Sequence, residues 1–407
     1  MRKGSPRAGV ALAGLAMAAA ACGGAATTSG STSTTSTAST TTTASTTTTA
    51  PAVTTPGGTA VPGGFEPGSV TFVSSSTGFV IGIDSSCPAA TCVALARTTD
   101  GGAHWSALPA PAAGFVSRLG RPSAGVPAVS EVRFADERDG WIYGPSLFAT
   151  HDGGATWQQV DLGGSVVSLE TSGAFVDAVV SPCPGAQECD GSMKLDQAPA
   201  TGGRFATVLT GPSTRSGATF EELLSLHAPV GFADLTGGDA GQPAVFATGS
   251  LADPTGWKAF PDPCTGAMVV EFVAPDTTHL YSLCGGAAGA GNQMKSVVVT
   301  SDGKSHVAGT PPPGGDAEAL AVSPSSDVVV VAAASGASSL YRSTDGGRTW
   351  TTAETYSDGG IGFDDLGFTT SSQGVVIHGL PGPITGEVSQ LLMTRNSGAT
   401  WSVVPIA

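Results

Sequence analysis

Carboxylates are the groups in this sequence best placed to do chemistry. Asp84, Asp177, Asp234, Asp364 and Asp365 fall in or near loops that the strand pattern described below puts on one face of the fold. Two carboxylates within reach of one glycosidic bond are the minimum for acid–base cleavage of a sugar polymer. Spacing alone brings no two of these five together, and solvated loop acids are the simpler reading of each. Other catalytic patterns fail. Gly303-Lys304-Ser305 mimics the end of a phosphate loop, but Val298 stands where the first glycine belongs and no helix follows. No Gly-x-Ser-x-Gly elbow occurs. The histidines are scattered, with His104, His151 and His306 inside repeat motifs, so neither a metal set nor a histidine base is assigned. The site assignment is therefore catalytic residues none, metal none and cofactor none.

Cysteine usage points outside the cytoplasm. Arg2, Lys3 and Arg7 precede an uncharged apolar run from Ala8 to Ala21, too short to span a membrane comfortably. Ala19-Ala20-Ala21-Cys22-Gly23-Gly24 resembles a bacterial lipobox, which implies lipidation of Cys22 and anchoring to the outer side of the cytoplasmic membrane. Ala19 departs from the commoner Leu at its position. The other six cysteines suit an exported, disulfide-bearing chain. Spacing favours Cys87 with Cys92, Cys183 with Cys189, and Cys264 with Cys284.

Residues that must be positioned need elements to position them, and the sequence supplies these as repeats. Four segments share one pattern: Asp100, Gly102 and Trp105; Asp152, Gly154 and Trp157; Asp345, Gly347 and Trp350; Asn396, Gly398 and Trp401, each with Thr or Ser two residues before the first. This pattern resembles the Asp-box, or bacterial neuraminidase repeat. The resemblance implies a tight turn between two strands, with the acid accepting backbone hydrogen bonds, the glycine in a conformation closed to other residues and the tryptophan packed over the turn. Worn copies run from Ala198 to Phe205, Ser250 to Trp257 and Thr300 to Val307, which gives seven anchors at a period of about 49 residues. In phase with them, Val70-Thr71-Phe72 leads to Gly78-Phe79, Val132-Arg133-Phe134 to Gly140-Trp141, and Leu366-Gly367-Phe368 to Gly374-Val375. Each unit reads as four strands joined by turns.

Seven such units predict an all-β, seven-bladed β-propeller of four-stranded antiparallel blades. The paired signatures also resemble the photosystem II stability/assembly factor family of propellers over roughly residues 70 to 407. From that family only the architecture and a non-catalytic scaffold role carry over. The expected organisation is a signal peptide over 1–22, a Ser/Thr-rich tether over 23–64 and the propeller over 65–407. In blade topology the Asp-box turns occupy one face. Cys87, Cys92, Cys183, Cys189 and Cys284 belong to second-to-third loops and Cys264 to an interblade connection, all on the opposite face. That face also carries the longest insertions, Ala107 to Ala128 and Pro182 to Ala198, and is the expected ligand surface. Trp141 is expected to pack between blades.

Asp-box propellers include sialidases and other glycoside hydrolases. A sialidase needs an arginine triad, a Tyr/Glu pair and an Asp acid. Its Arg-Ile-Pro-type segment is missing here, and Tyr143, Tyr281, Tyr341 and Tyr356 are the only tyrosines, with Tyr341 directly before an Asp-box and so a core residue. A net charge of −15 excludes nucleic acid and disfavours anionic polymers. Charged residues are only 12% of the chain, while Gly 58 and Pro 28 argue against helical bundles. The expected function is that of a monomeric, lipid-anchored propeller that binds a protein or polysaccharide without catalysis. A glycoside hydrolase of sialidase or xyloglucanase type, using carboxylates in the central funnel, is the alternative.

Overall fold

The computed structural model describes residues 59–87, 92–117, 125–183, 189–216, 223–235, 245–382 and 388–406, excluding the side chains of 189 and 212–216. Cys22, the signal segment and the tether up to residue 58 lie outside the described residues. The ring falls in the unit Thr55–Ala407.

Among the described residues are seven four-stranded antiparallel sheets and no helix, and each sheet is built from consecutive strands. Blade 1 comprises Phe65–Phe72, Gly78–Asp84, Val93–Thr98 and Ser106–Leu108; blade 2 comprises Glu131–Phe134, Gly140–Tyr143, Leu147–Thr150 and Gln158–Val160. Blades 3 to 6 start at Ser165–Ser172, Leu224–His227, Met268–Val273 and Asp316–Val322. Blade 7 comprises Phe363–Phe368, Gly374–His378, Gln390–Thr394 and Ser402–Val403.

Strands such as Gly140–Tyr143 and Val329–Ala334 are buried at every position because both faces of a blade pack on neighbours. The core is accordingly divided among the seams. Phe79, Ile81 and Leu95 of blade 1 meet Val132 and Ile142 of blade 2, and an equivalent cluster lies at each successive interface. Trp141 packs in the seam between blades 2 and 3, as expected from its position in the repeat. Tyr341 is buried in the core.

No strand is exchanged to close the ring. Instead residues ahead of Phe65 clasp the last seam: Ala107 N–H donates to Thr59 O at 2.9 Å, and the Thr59 hydroxyl donates to Ala107 O at 3.2 Å. Val61 is buried with Trp105, Ile377 and Met393.

The four clear repeats fold into one turn with one bonding pattern. In blade 2 the Thr150 hydroxyl donates to Asp152 Oδ1 at 2.8 Å and accepts from Gly154 N–H at 3.0 Å. Thr156 N–H donates to Asp152 Oδ1 at 2.9 Å and its hydroxyl to Oδ2 at 2.6 Å. Equivalent bonds surround Asp100, Asp345 and Asn396. The central glycine is needed twice. Gly154 has φ +87°, and a Cβ there would lie 3.2 Å from Leu108 of the preceding blade. Asn396 shows that an amide oxygen serves as well as a carboxylate. Asp152→Asn is therefore expected to change unfolding free energy by less than about 1 kcal/mol, and Asp152→Ala to cost about 1–2 kcal/mol, as read by urea titration.

The copy in blade 5 departs from the expectation. Asp302 and Gly303, at φ +50° and +70°, make a two-residue hairpin, and Ser301 pairs directly with Lys304. Asp-Gly is the preferred pair for such a turn. Val307, expected as the anchor, is instead 57% exposed because the shortened turn gives it nothing to cover. Pro182 to Ala198 is likewise less of an insertion than expected, since Cys189–Pro199 is a long third strand.

Candidate functional site: the central channel and its disulfide-bearing mouth

First strands of all seven blades surround a central cavity of about 690 Å³. Among its described lining residues are six carboxylates, Glu131, Glu170, Glu271, Glu318, Asp364 and Asp365, against one guanidinium, Arg133. This is the obvious place to seek catalytic acids, and the bonding shows what several of them do.

Several first strands carry an irregularity at mid-length, for example between Pro67 and Ser69, between Val269 and Glu271, and between Asp364 and Gly367. The first strand of one blade offers a backbone N–H to a side chain of the blade before it. Ser69 Oγ accepts from Val132 at 3.0 Å, Ser168 Oγ from Leu223 at 3.2 Å and Ser225 Oγ from Ala274 at 2.8 Å. Glu271 Oε2 accepts from Leu320 at 2.5 Å, Glu318 Oε2 from Phe363 at 3.0 Å and Asp365 Oδ2 from Val70 at 2.6 Å. These bonds form an almost complete circle in which each blade satisfies an inner-edge donor of the next. A buried amide without such a partner costs about 1–3 kcal/mol. Three of the six channel carboxylates are thus committed to holding seams. Glu170 is committed to Arg133, whose Nε donates to Glu170 Oε1 at 2.7 Å and whose Nη2 donates to Asp365 Oδ1 at 3.2 Å.

The remaining acids singled out in the sequence are dispersed. Asp364 and Asp365 belong to the channel-facing first strand of blade 7 and not to a loop. Asp84 closes its strand by accepting from Ser86 N–H at 3.0 Å. Asp234 ends a buried strand. Asp177 is the third residue of Phe175–Ser181, near the first-to-second turn of blade 3, and is fully buried. Gln197 Nε2 donates to its Oδ1 at 2.9 Å, and Oδ2 has no partner. Burial pushes this carboxyl up to about 7, with the Gln197 hydrogen bond only partly opposing the rise.

Turn pairing fixes the two faces. Gly101 N–H donates to Ser76 O and Gly153 N–H to Arg138 O, so the four repeat turns sit beside the first-to-second turns. The cysteines gather toward the other end. Cys87 is bonded to Cys92 and Cys264 to Cys284. Cys183 is also disulfide-bonded; the side chain of Cys189, its expected partner, lies outside the described residues. Cys284 is not in a loop, as expected, but within the second strand of blade 5, His279–Gly289, because that strand continues to within two residues of its hairpin partner. Its disulfide ties the strand to the connection entering the same blade.

Two features of this face were not legible in advance. A histidine–carboxylate pair joins blades 6 and 7: His378 Nε2 lies 2.8 Å from Asp358 Oδ2, and the Ser338 hydroxyl donates to the same oxygen at 2.6 Å. Burial raises the Asp358 carboxyl, but hydrogen bonds from Ser338, His378 and Gly360 outweigh it and hold it below the usual range. Tyr356 stacks on His378 with centroids 4.0 Å apart. Serine bonds to the carboxylate and not to the imidazole, so this is no nucleophile–base relay. The His378→Ala chain is expected to lose about 2 kcal/mol in chemical denaturation, because it leaves a buried carboxylate short of a partner.

The second feature is a strap. After blade 1 the chain returns to the axis, where Gly114–Phe115 runs parallel to Ala128–Val129 on the way into blade 2. Gly114 N–H donates to Pro127 O at 2.8 Å and Val116 N–H to Val129 O at 2.9 Å. The tip of the Phe115 ring lies against Gly68, where any Cβ would overlap it.

No protein-family model matches this chain, and no curated protein does. Solved structures share the fold. YCF48 bound to D1 peptide aligns with 17% identity and TM-score 0.52, covering 83% of this chain and 95% of its own. YCF48 from Cyanidioschyzon merolae aligns with 16% identity and TM-score 0.51, covering 83% and 98%. The GH74 xyloglucanase from Xanthomonas campestris aligns with 13% identity and TM-score 0.55, covering 86% of this chain, which spans 55% of that enzyme. At these identities the likeness is one of propeller architecture.

Proposed function

We propose that this chain is a binding propeller whose ligand, a protein, is held at the disulfide-bearing mouth of the channel, and that it performs no catalysis. The observation that carries this reading is the commitment of channel carboxylates to structure. Glu271, Glu318 and Asp365 accept inner-edge amides and Glu170 is paired with Arg133. A general acid must give up and regain a proton during turnover, whereas a carboxylate holding a backbone amide is needed in its ionised form throughout. The disulfides support the same reading by stiffening loops and connections that a binding face requires to be preorganised. A protein of this fold solved with a bound peptide adds to it.

The four Asp-box turns are assigned a folding role. We assign Cys22 as the lipidated residue and the ring as a monomer outside the bacterial cytoplasmic membrane, on a Ser/Thr-rich tether. Metabolic labelling with an alkynyl fatty acid checks this assignment: the label is expected on the wild-type chain and lost from Cys22→Ser.

Glycoside hydrolysis remains the second reading, supported by the acid-lined channel and the xyloglucanase fold likeness. Incubating the full chain with an array of peptides and oligosaccharides, with mass spectrometry of each spot, separates the two. Retention on peptides with unaltered glycans supports binding, and shortened glycans overturn it.

A further inference from the structure

We infer, on the protein-binding reading above, that Met268 is an oxidation-sensitive contact for the ligand: a methionine at the channel mouth whose conversion to the sulfoxide by a peroxide weakens binding.

Oxidisable sulfur is spread unevenly over the described residues. Cys87, Cys92, Cys183, Cys264 and Cys284 are held in disulfides. Of the methionines, Met193 and Met393 are sealed in the core at 0% and 3% exposed, whereas Met268 and Met294 are 42% and 72% exposed. Peroxide reaches exposed thioethers first. Both exposed methionines belong to blade 5, and Met268 is the one that lines the central cavity.

Local structure holds Met268 in the open. It begins the first strand of blade 5, Met268–Val273. Just ahead of it, Ala267 N–H donates to Cys264 O at 2.7 Å, so the Cys264–Cys284 disulfide fixes the backbone there. Val269, the next residue of the strand, packs against that disulfide. Successive side chains of a strand point to opposite sides, so Met268 projects away from it. Its partner on the second strand is Gly285, which has no side chain to cover it. The mouth thus carries a flexible apolar side chain on a fixed backbone, suited to packing on an irregular partner surface. In the oxidation, the thioether sulfur attacks one oxygen of the peroxide. The O–O bond breaks as the S–O bond forms, and the proton of the transferred oxygen passes to the departing hydroxide, which leaves as water. Sulfur is oxidised by two electrons and the peroxide reduced by two. The sulfoxide is polar where the thioether was apolar, and covering it with a ligand that offers no hydrogen bond is unfavourable.

The test treats the full folded chain with hydrogen peroxide. Peptide mapping by mass spectrometry is expected to find sulfoxide at Met268 and Met294 before Met193 and Met393. Untreated and oxidised chains are then applied to the peptide array, where oxidation is expected to weaken retention at least about fivefold. Met268→Leu keeps an apolar side chain that peroxide does not attack, and should bind like the wild type before and after treatment. Met268→Gln is polar from the start and should bind weakly without peroxide. Met294→Leu should stay peroxide-sensitive, because Met294 does not line the cavity. Urea unfolding of each variant, expected to match the wild type, separates lost contact from lost fold. Equal retention of untreated and oxidised wild type overturns the contact and leaves the protein-binding reading standing. Peroxide sensitivity that persists in Met268→Leu assigns the effect to another residue and also overturns it. So does oxidation of Met268 no faster than that of Met193. If no peptide retains the untreated chain, the protein-binding reading itself falls and the contact with it.

Discussion

At about pH 8 the Asp177→Asn chain is expected to be more stable than the wild type, and at about pH 4 the advantage should disappear. Asp177 is fully buried, has one hydrogen bond from Gln197, and titrates in the folded chain at about 7. A carboxyl raised by burial keeps its proton in the folded state over a range where the unfolded chain has released it. Stability from this group therefore falls as pH rises from about 4 to about 7 and is level above that. The full span corresponds to about 4 kcal/mol. Asparagine abolishes the titration but leaves an amide donor where Oδ2 has no partner, a cost of about 1–3 kcal/mol. The net gain at alkaline pH is thus smaller than the change in slope. The slope, measured by urea unfolding at several pH values, is the readout.

Turn aspartates act in the opposite sense. Asp100 is lowered to about 2, first by its side-chain hydrogen bond with His104, and hydrogen bonds also lower Asp345 and Asp152. What these contribute is present above the unfolded carboxyl value and lost as pH falls through the folded one. The two effects together place the stability maximum on the acid side of neutrality, near pH 4–5 by order of magnitude.

Asp365→Ala is expected to be the most damaging single change in the channel, costing about 4 kcal/mol. Its carboxylate is 3% exposed, accepts Val70 N–H across the closing seam and pairs with Arg133. Removing it orphans an amide and leaves the guanidinium with Glu170 as its remaining carboxylate partner by these contacts. The backbone adds to the loss, since Asp365 has φ +54°, a region that Asp and Asn tolerate better than Ala. Three substitutions separate these contributions. Asp365→Asn keeps an acceptor and the backbone preference, so it should cost least. Asp365→Gly relieves the backbone but loses the acceptor and should fall between Asn and Ala. If all three leave urea unfolding unchanged, the closing seam is not held by this side chain.

Much of the architecture could be read from the sequence because its determinants are local and repeated. Gly102, Gly154, Gly347 and Gly398 stand where the backbone must be left-handed and close to the preceding blade, and the tryptophans follow at fixed distance. A period emerges from four clear copies even where blade 5 has cut its turn to Asp302-Gly303. The seam bonds were not legible because the device is geometric and not compositional. Ser69, Ser168, Ser225, Glu271, Glu318 and Asp365 do one job with three residue types, and all but Ser225 lie at strand irregularities that shift their place in the repeat. His378 and Asp358 meet across a seam for the same reason. Asp177 did leave a signal: in Phe175–Ser181 it is the one acid in an otherwise apolar strand, which places it in the core and not in a loop.

Amide hydrogen exchange along the full chain, with and without the tightest-binding peptide from the array, tests most directly whether ligand is held at the disulfide-bearing mouth of the channel. Slowed exchange is expected to concentrate at the channel mouth, around Gly114–Phe115 and the Cys264–Cys284 disulfide, with the four repeat turns unchanged. Protection confined to the turns around Asp100, Asp152, Asp345 and Asn396, on the opposite face, would contradict it.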